Sequence, residues 1–273
     1  MLTLSAPAKI NLVLEVLGRR PDGYHEVVTV LQEIDLTDVV SFGEHRQVVM
    51  DSPDALMLKA VRLLQTASGC SQGVSISVAK RIPVAAGLGG SSSRAAATLR
   101  GLNHLWELGM TQAELAALGS KVSADTPFFL YGGTALGEGR GDAVTRLPSF
   151  QHCWVVLFRP PVSVPASKTG SLYRLLDSAH FTDGRHASSV VARLRSGTPV
   201  DETALYNVFE KVGFAAFPGL EGFWHQFQEV GACPVHLAGS GPTLFTLVSE
   251  RSHADRMHRS LQEKDLEVYV VET

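Results

Sequence analysis

Leu12, Leu14 and Val16 share one face of a loosely alternating run over residues 2 to 17, and a period of two predicts a β-strand with one buried side. The run breaks at Gly18-Arg19-Arg20-Pro21-Asp22-Gly23, a cluster of turn formers. The period then changes. Leu56, Ala60, Leu63, Leu64 and Ala67 recur at helical spacing, with Ser52 as the expected N-cap, Pro53 as the first helical residue and Gly69 as the stop. Val74, Ile76 and Val78 alternate with serines and predict a second strand. A glycine-rich loop follows, and from about Ser92 a helix carries the apolar stripe Ala95, Leu99, Leu102 and Trp106. Thr111-Gln112-Ala113-Glu114 has the form of a capping box. The helix it opens is expected to stop before Asp125-Thr126-Pro127, because a proline pushes the preceding residue out of helical geometry.

A second half begins near residue 150. Trp154 to Phe158 and Leu244 to Val248 predict short apolar strands, Ser252 to about Lys264 a helix, and Leu266 to Val271 a closing strand. The polar stretch Asp177 to Pro199 reads as helices with loops. Mixed strand and helix order in both halves predicts an α+β protein of two domains, residues 1–150 and 151–273. There is no tandem repeat or low-complexity segment.

Composition narrows the classes of function. The 273 residues are 45% hydrophobic and 19% charged with a formal net charge of -3, which excludes a disordered chain and offers no chain-wide attraction for nucleic acid or an anionic membrane. Cys70, Cys153 and Cys233 are too few and too far apart for a disulfide framework or a close-spaced zinc site, and the histidines show no metal-ligand spacing. No run approaches the ~18 apolar residues of a spanning helix. Lys9 interrupts the first apolar run, which no basic segment precedes, so a soluble cytoplasmic protein is expected. The 25 glycines, about 9% of the chain against ~7% in an average protein, are not scattered. Ten of them group at Gly87 to Gly90, Gly132-Gly133, Gly137 to Gly141 and Gly239 to Gly241. Gly132-Gly133 is expected to be a plain turn.

The segment Pro83-Val84-Ala85-Ala86-Gly87-Leu88-Gly89-Gly90-Ser91-Ser92-Ser93 leads into a predicted helix. Glycine-rich backbone at a helix N-terminus exposes N–H groups and partial positive charge to an anion, and phosphate is the obvious ligand. Neither familiar phosphate fingerprint fits, since the G-x-x-x-x-G-K-[ST] spacing and the third dinucleotide glycine are both missing. On pattern alone, Asp125 serves a turn as readily as a reaction. Lys9 is either a solvated strand residue or a placed charge, and Tyr24-His25 is either an idle loop pair or a stacking face beside a polar edge.

The loop resembles the phosphate-binding loop of the GHMP kinase superfamily. Ser5 to Leu12 is similar to that superfamily's N-terminal motif, and Leu237 to Phe245 to its C-terminal glycine motif. The segments Gly18 to Glu26 and Ser123 to Asp142 are similar to those of a branch that phosphorylates a hydroxyl of a cytidine diphosphate substrate. The resemblance implies a ribosomal protein S5-like N-terminal domain, a ferredoxin-like C-terminal domain, and a small-molecule kinase using ATP and Mg²⁺. It implies Lys9 and Asp125 as catalytic residues, with Lys80 and Pro83, Val84, Ala85, Ala86, Gly87, Leu88, Gly89, Gly90, Ser91, Ser92 and Ser93 at the nucleotide. Asn11, Tyr24, His25, Tyr173 and Gly239 fall on the acceptor side.

Some positions depart from the pattern. Ser91 replaces a third glycine, Arg94 replaces an Asp or Asn, Asn207 lacks a partner aspartate, and Val162 to Pro165 differs from the usual flank of Tyr173. Arg94 is expected either to pair with ATP phosphate or to point to solvent. The alternatives are another GHMP kinase, or a non-catalytic nucleotide-binding relative disabled at Arg94. An RNA-binding module on the S5-like fold is disfavoured by the net charge.

Overall fold

A computed structural model describes residues Met1–Thr273. Strands β1 (Leu2–Arg19) and β2 (His25–His45) form a long antiparallel hairpin, with register shifts between Pro7 and Ala8, Asn11 and Val13, and Val16 and Gly18. Its turn is built by the motif residues themselves. Asp22 accepts the Tyr24 N–H and the Arg20 guanidinium, Arg20 also pairs with Glu26, and Gly23 takes a φ of 85° that favours glycine.

Strand β3 (Val48–Met50) lies parallel to β4 (Gly73–Ala79), and β4 pairs with β2. Helix α1 (Ala55–Ser68) lies between them in sequence and ends on Gly69 in the left-handed region. Its cap is Asp54, where Ser52 and Pro53 were expected. The Asp54 carboxylate accepts the N–H groups of Leu56 and Met57, while the Ser52 hydroxyl is taken by Lys80. Helices α2 (Gly90–Leu105), α3 (Gln112–Val122) and α4 (Thr126–Tyr131) follow. The capping box on α3 is complete in both directions. The stripe Ala95, Leu99, Leu102 and Trp106 is buried with Phe42, Met57, Leu64 and Phe128 beneath the sheet. α3 ends at Ser123, and Pro127 falls in the first turn of α4. A missing N–H does no harm in a first turn, so the proline opens a helix where only a break was expected.

Strands β5 (Thr134–Glu138) and β6 (Ala143–Arg146) extend the first sheet through β2. The second sheet starts at β7 (Trp154–Arg159). Helices α5 (Lys168–Leu175) and α6 (Arg185–Ser196) come next, and the two-residue β8 (Tyr206–Asn207) pairs in parallel with β1, so the later half of the chain adds a strand to the first sheet. Helices α7 (Gly213–Ala216) and α8 (Leu220–Glu229), strands β9 (His236–Leu237) and β10 (Leu244–Val248), helix α9 (Arg251–Gln262) and strand β11 (Glu267–Glu272) complete the chain. The second sheet has the order β11-β7-β10-β9. One apolar cluster includes Ala8, Ile10 and Leu12 from β1 together with Val155, Leu157 and Phe245 from the second sheet. Its burial fixes the two sheets against each other. No helix is long and apolar enough to cross a membrane.

Candidate active site

A cleft of about 900 Å³ runs between the first sheet, the loop before α2 and helix α5. On one wall the loop enters α2 with Gly89 at the N-cap, φ 75°, and no side chain caps the first turn. The first N–H groups are therefore left without side-chain partners, an arrangement suited to an anion. Close approach explains the glycines. A Cβ on Gly87 would stand 2.1 Å from the Ala238 carbonyl, and one on Gly89 would meet the Phe129 ring at 2.7 Å. The C-terminal glycine turn is held from beneath. Asn207 Nδ2 donates to the carbonyls of Leu237 and Gly239, so this asparagine has two backbone partners without the missing aspartate.

Lys9 projects from β1 beside this loop, with its own N–H donating to the Leu88 carbonyl. It is buried. Nζ donates to Asn11 Oδ1 at 2.6 Å and lies 4.0 Å from Asp125 Oδ2. Asn11, two residues on and so on the same strand face, donates in turn to Thr29, which donates to the Val13 carbonyl. This chain fixes the amide so that its oxygen faces the ammonium. Burial lowers the Lys9 pKa from the ordinary lysine value, and the Asp125 charge opposes that shift. Asp125 stands at the N-cap of α4 yet its carboxylate does not cap the helix, and its side chain is 39% exposed toward the cleft. Hydroxyl contacts from Ser92 to Ser123 at 2.9 Å and from Ser123 to Thr126 at 2.7 Å tie the α2 start to the Asp125 segment.

The far end of the cleft is aromatic. His25 at the start of β2 stacks on Tyr173 from α5, with centroids 4.7 Å apart and planes at 20°. Tyr173 is steadied edge-on by Phe209. His25 Nε2 has no hydrogen-bond partner, and burial first, then Arg19, lowers its pKa, which favours the neutral ring. Tyr24 is exposed, with the Arg140 guanidinium 5.3 Å from its ring centroid.

The cleft thus gathers Lys9, Asn11, Tyr24, His25, Asp125, Tyr173, Gly239 and the loop from Pro83 to Ser92. Lys80 and Ser93 do not line it. Lys80 donates to Ser52 at the surface, and Ser93 is buried behind the loop. Arg94 lines the cleft but does not point to solvent. Its Nη1 pairs with Asp38 and its Nη2 with Asp54 at 2.7 Å, inside the protein, and Nη2 also donates to Ser91. The guanidinium is thus answered by two carboxylates. Lys168 and Arg140 also line the cleft but were not singled out in the sequence. Arg140 could have been found from its place among Gly137, Gly139 and Gly141. Lys168 gave no local signal beyond its unusual flank ahead of Tyr173.

Residues 55–133 match the GHMP kinases N terminal domain, and residues 193–265 the GHMP kinases C terminal family. Fold and cleft together are those of a GHMP kinase. A 4-diphosphocytidyl-2-C-methyl-D-erythritol kinase from Dehalococcoides mccartyi is 44% identical, the alignment covering 100% of this chain and 98% of that one. A protein of the same name from Geobacillus kaustophilus is 42% identical over 96% of this chain and 93% of its own. The crystal structure of a 4-(cytidine 5'-diphospho)-2C-methyl-D-erythritol kinase superposes with a TM-score of 0.83 at 31% identity, covering 99% and 98% of the two chains. The chain belongs to the GHMP kinases and, within them, to the 4-diphosphocytidyl-2-C-methyl-D-erythritol kinase family.

Proposed function

We infer that the protein transfers the γ-phosphoryl group of ATP to the 2-hydroxyl of 4-diphosphocytidyl-2-C-methyl-D-erythritol, a step of the non-mevalonate route to isoprenoid precursors. The observation that carries this reading is the arrangement of three parts in one cleft: an uncapped glycine loop, the Lys9–Asp125 pair, and the His25–Tyr173 stack. The loop N–H groups hold the nucleotide phosphates. The aromatic end receives the cytosine, where the unpartnered His25 edge meets the polar edge of the base and Tyr24 and Tyr173 offer ring faces.

Phosphoryl transfer needs alignment and charge neutralisation more than covalent help. The acceptor hydroxyl lies against Asp125, whose carboxylate receives the proton as the new O–P bond forms and ADP departs. Lys9 neutralises charge on the moving phosphoryl group. Asn11 orients Lys9. Magnesium, when bound with the nucleotide, would supply further charge neutralisation. No group of three His, Cys, Asp or Glu side chains is placed to cage a metal, and Asp125 and Ser92 are oxygen donors in the cleft that would face such an ion.

The test is coupled ADP release with purified protein, ATP and a panel of alcohols containing the cytidine diphosphate substrate, mevalonate and homoserine. Turnover confined to the cytidine compound is expected. Turnover of another alcohol without it, or none at all, overturns the reading.

A further inference from the structure

Lys168, the first residue of α5, is half-buried at the seam between the two glycine-rich segments. Its Nζ donates to the Ala85 carbonyl at 3.0 Å and to the Gly241 carbonyl. Ala85 has a φ of 57°, a left-handed conformation that is strained for a non-glycine residue. Thr169 beside it hydrogen bonds to Ser240 at 3.1 Å. An ammonium has three donors, and two are used here. The charged groups that act on it are Lys9 from β1 and Asp125 from the segment before α4. The stretches from Pro83 to Gly89 and from Ala238 to Pro242 that pack around it carry no titratable side chain.

We propose that Lys168 is a third charged group of the transfer site: it staples the phosphate loop to the C-terminal glycine turn and gives its remaining donor to the γ-phosphoryl group. Both acceptors of Lys168 are neutral carbonyls, so no anion within hydrogen-bonding distance balances its charge until a nucleotide arrives. Desolvation first, then repulsion from Lys9, brings its pKa down to about 7 in the free protein, with Asp125 opposing. A bound phosphate favours the charged form, so the pKa rises on binding. The free enzyme therefore loses the useful ammonium as pH climbs past about 7, and binding at higher pH draws a proton from solution. This deepens the kinase reading and rests on it.

Calorimetric titration with Mg²⁺ and AMP-PNP, repeated in buffers of different ionisation enthalpy, reads the proton directly. At pH 8 uptake of most of one proton is expected with AMP-PNP, much less with ADP, and little with either at pH 6. Lys168→Met is expected to abolish the pH 8 uptake. It should also lower kcat/KM about 10²-fold and remove its decline above pH 7, as expected for loss of one donor to the reacting group. Uptake equal with ADP, uptake that survives in Lys168→Met, or an unchanged pH profile overturns the proposal. If the wild type turns over no cytidine substrate, the kinase reading fails, whereas normal turnover without the proton signature sinks Lys168 alone.

Discussion

Arg94 and Lys9 are both nearly inaccessible cations beside the phosphate loop, but their surroundings differ. Around Arg94 the donors and acceptors are answered: Asp38 and Asp54 receive the guanidinium, Asp38 also accepts the N–H groups of Arg81 and Ile82, and Asp54 caps α1. Lys9 has one close partner, Asn11, and its counter-ion is 4.0 Å away on a carboxylate that caps nothing. A fully answered cluster holds backbone in place and has little left for a ligand. A loosely answered pair keeps its charge for whatever enters the cleft.

The contrast can be broken at several points. The largest effect is expected for Lys9→Met, which should lower kcat about 10⁴-fold, in the range known for loss of a charge on a transferring phosphoryl group. Urea unfolding should show no loss of stability, because a desolvated lysine is replaced by an apolar side chain of similar length. Arg94→Met should do the reverse. It strands two buried carboxylates and should cost about 3–5 kcal/mol in the same unfolding experiment. At a temperature where the variant remains folded, kcat should stay within about threefold. If kcat falls as far as in Lys9→Met, the division between scaffold and chemistry is wrong. The smallest effect is expected at the aromatic end. Tyr24→Ala should raise KM for the cytidine substrate about tenfold, an ordinary loss for one stacking face, and leave KM for ATP unchanged. Equal losses for both ligands would remove Tyr24 from the acceptor side.

Much of this was legible in the chain because it was local. Periods of two and 3.6 marked β1, β4, α2 and the closing strand, the Thr111 and Glu114 pair marked a helix start, and glycine spacing marked the loop. What stayed hidden depends on contacts across long separations. Ser52 looks as good a cap as Asp54 until Arg94, 40 residues away, is seen to fix the Asp54 carboxylate. The fate of Arg94 itself depends on Asp38, 56 residues earlier. A two-residue strand such as β8 has no period to detect, yet it places Asn207 under the glycine turn. Lys168 carries no motif, and its partners lie 83 and 73 residues away.

The central claim is that the free carboxylate of Asp125 takes the hydroxyl proton. The rate of a single turnover by Asp125→Asn, with ATP and the cytidine substrate both saturating, tests it most directly. A fall of about 10³-fold is predicted, within the usual range for loss of a general base, with both ligands bound as tightly as by wild type. A rate within tenfold of wild type would contradict the account.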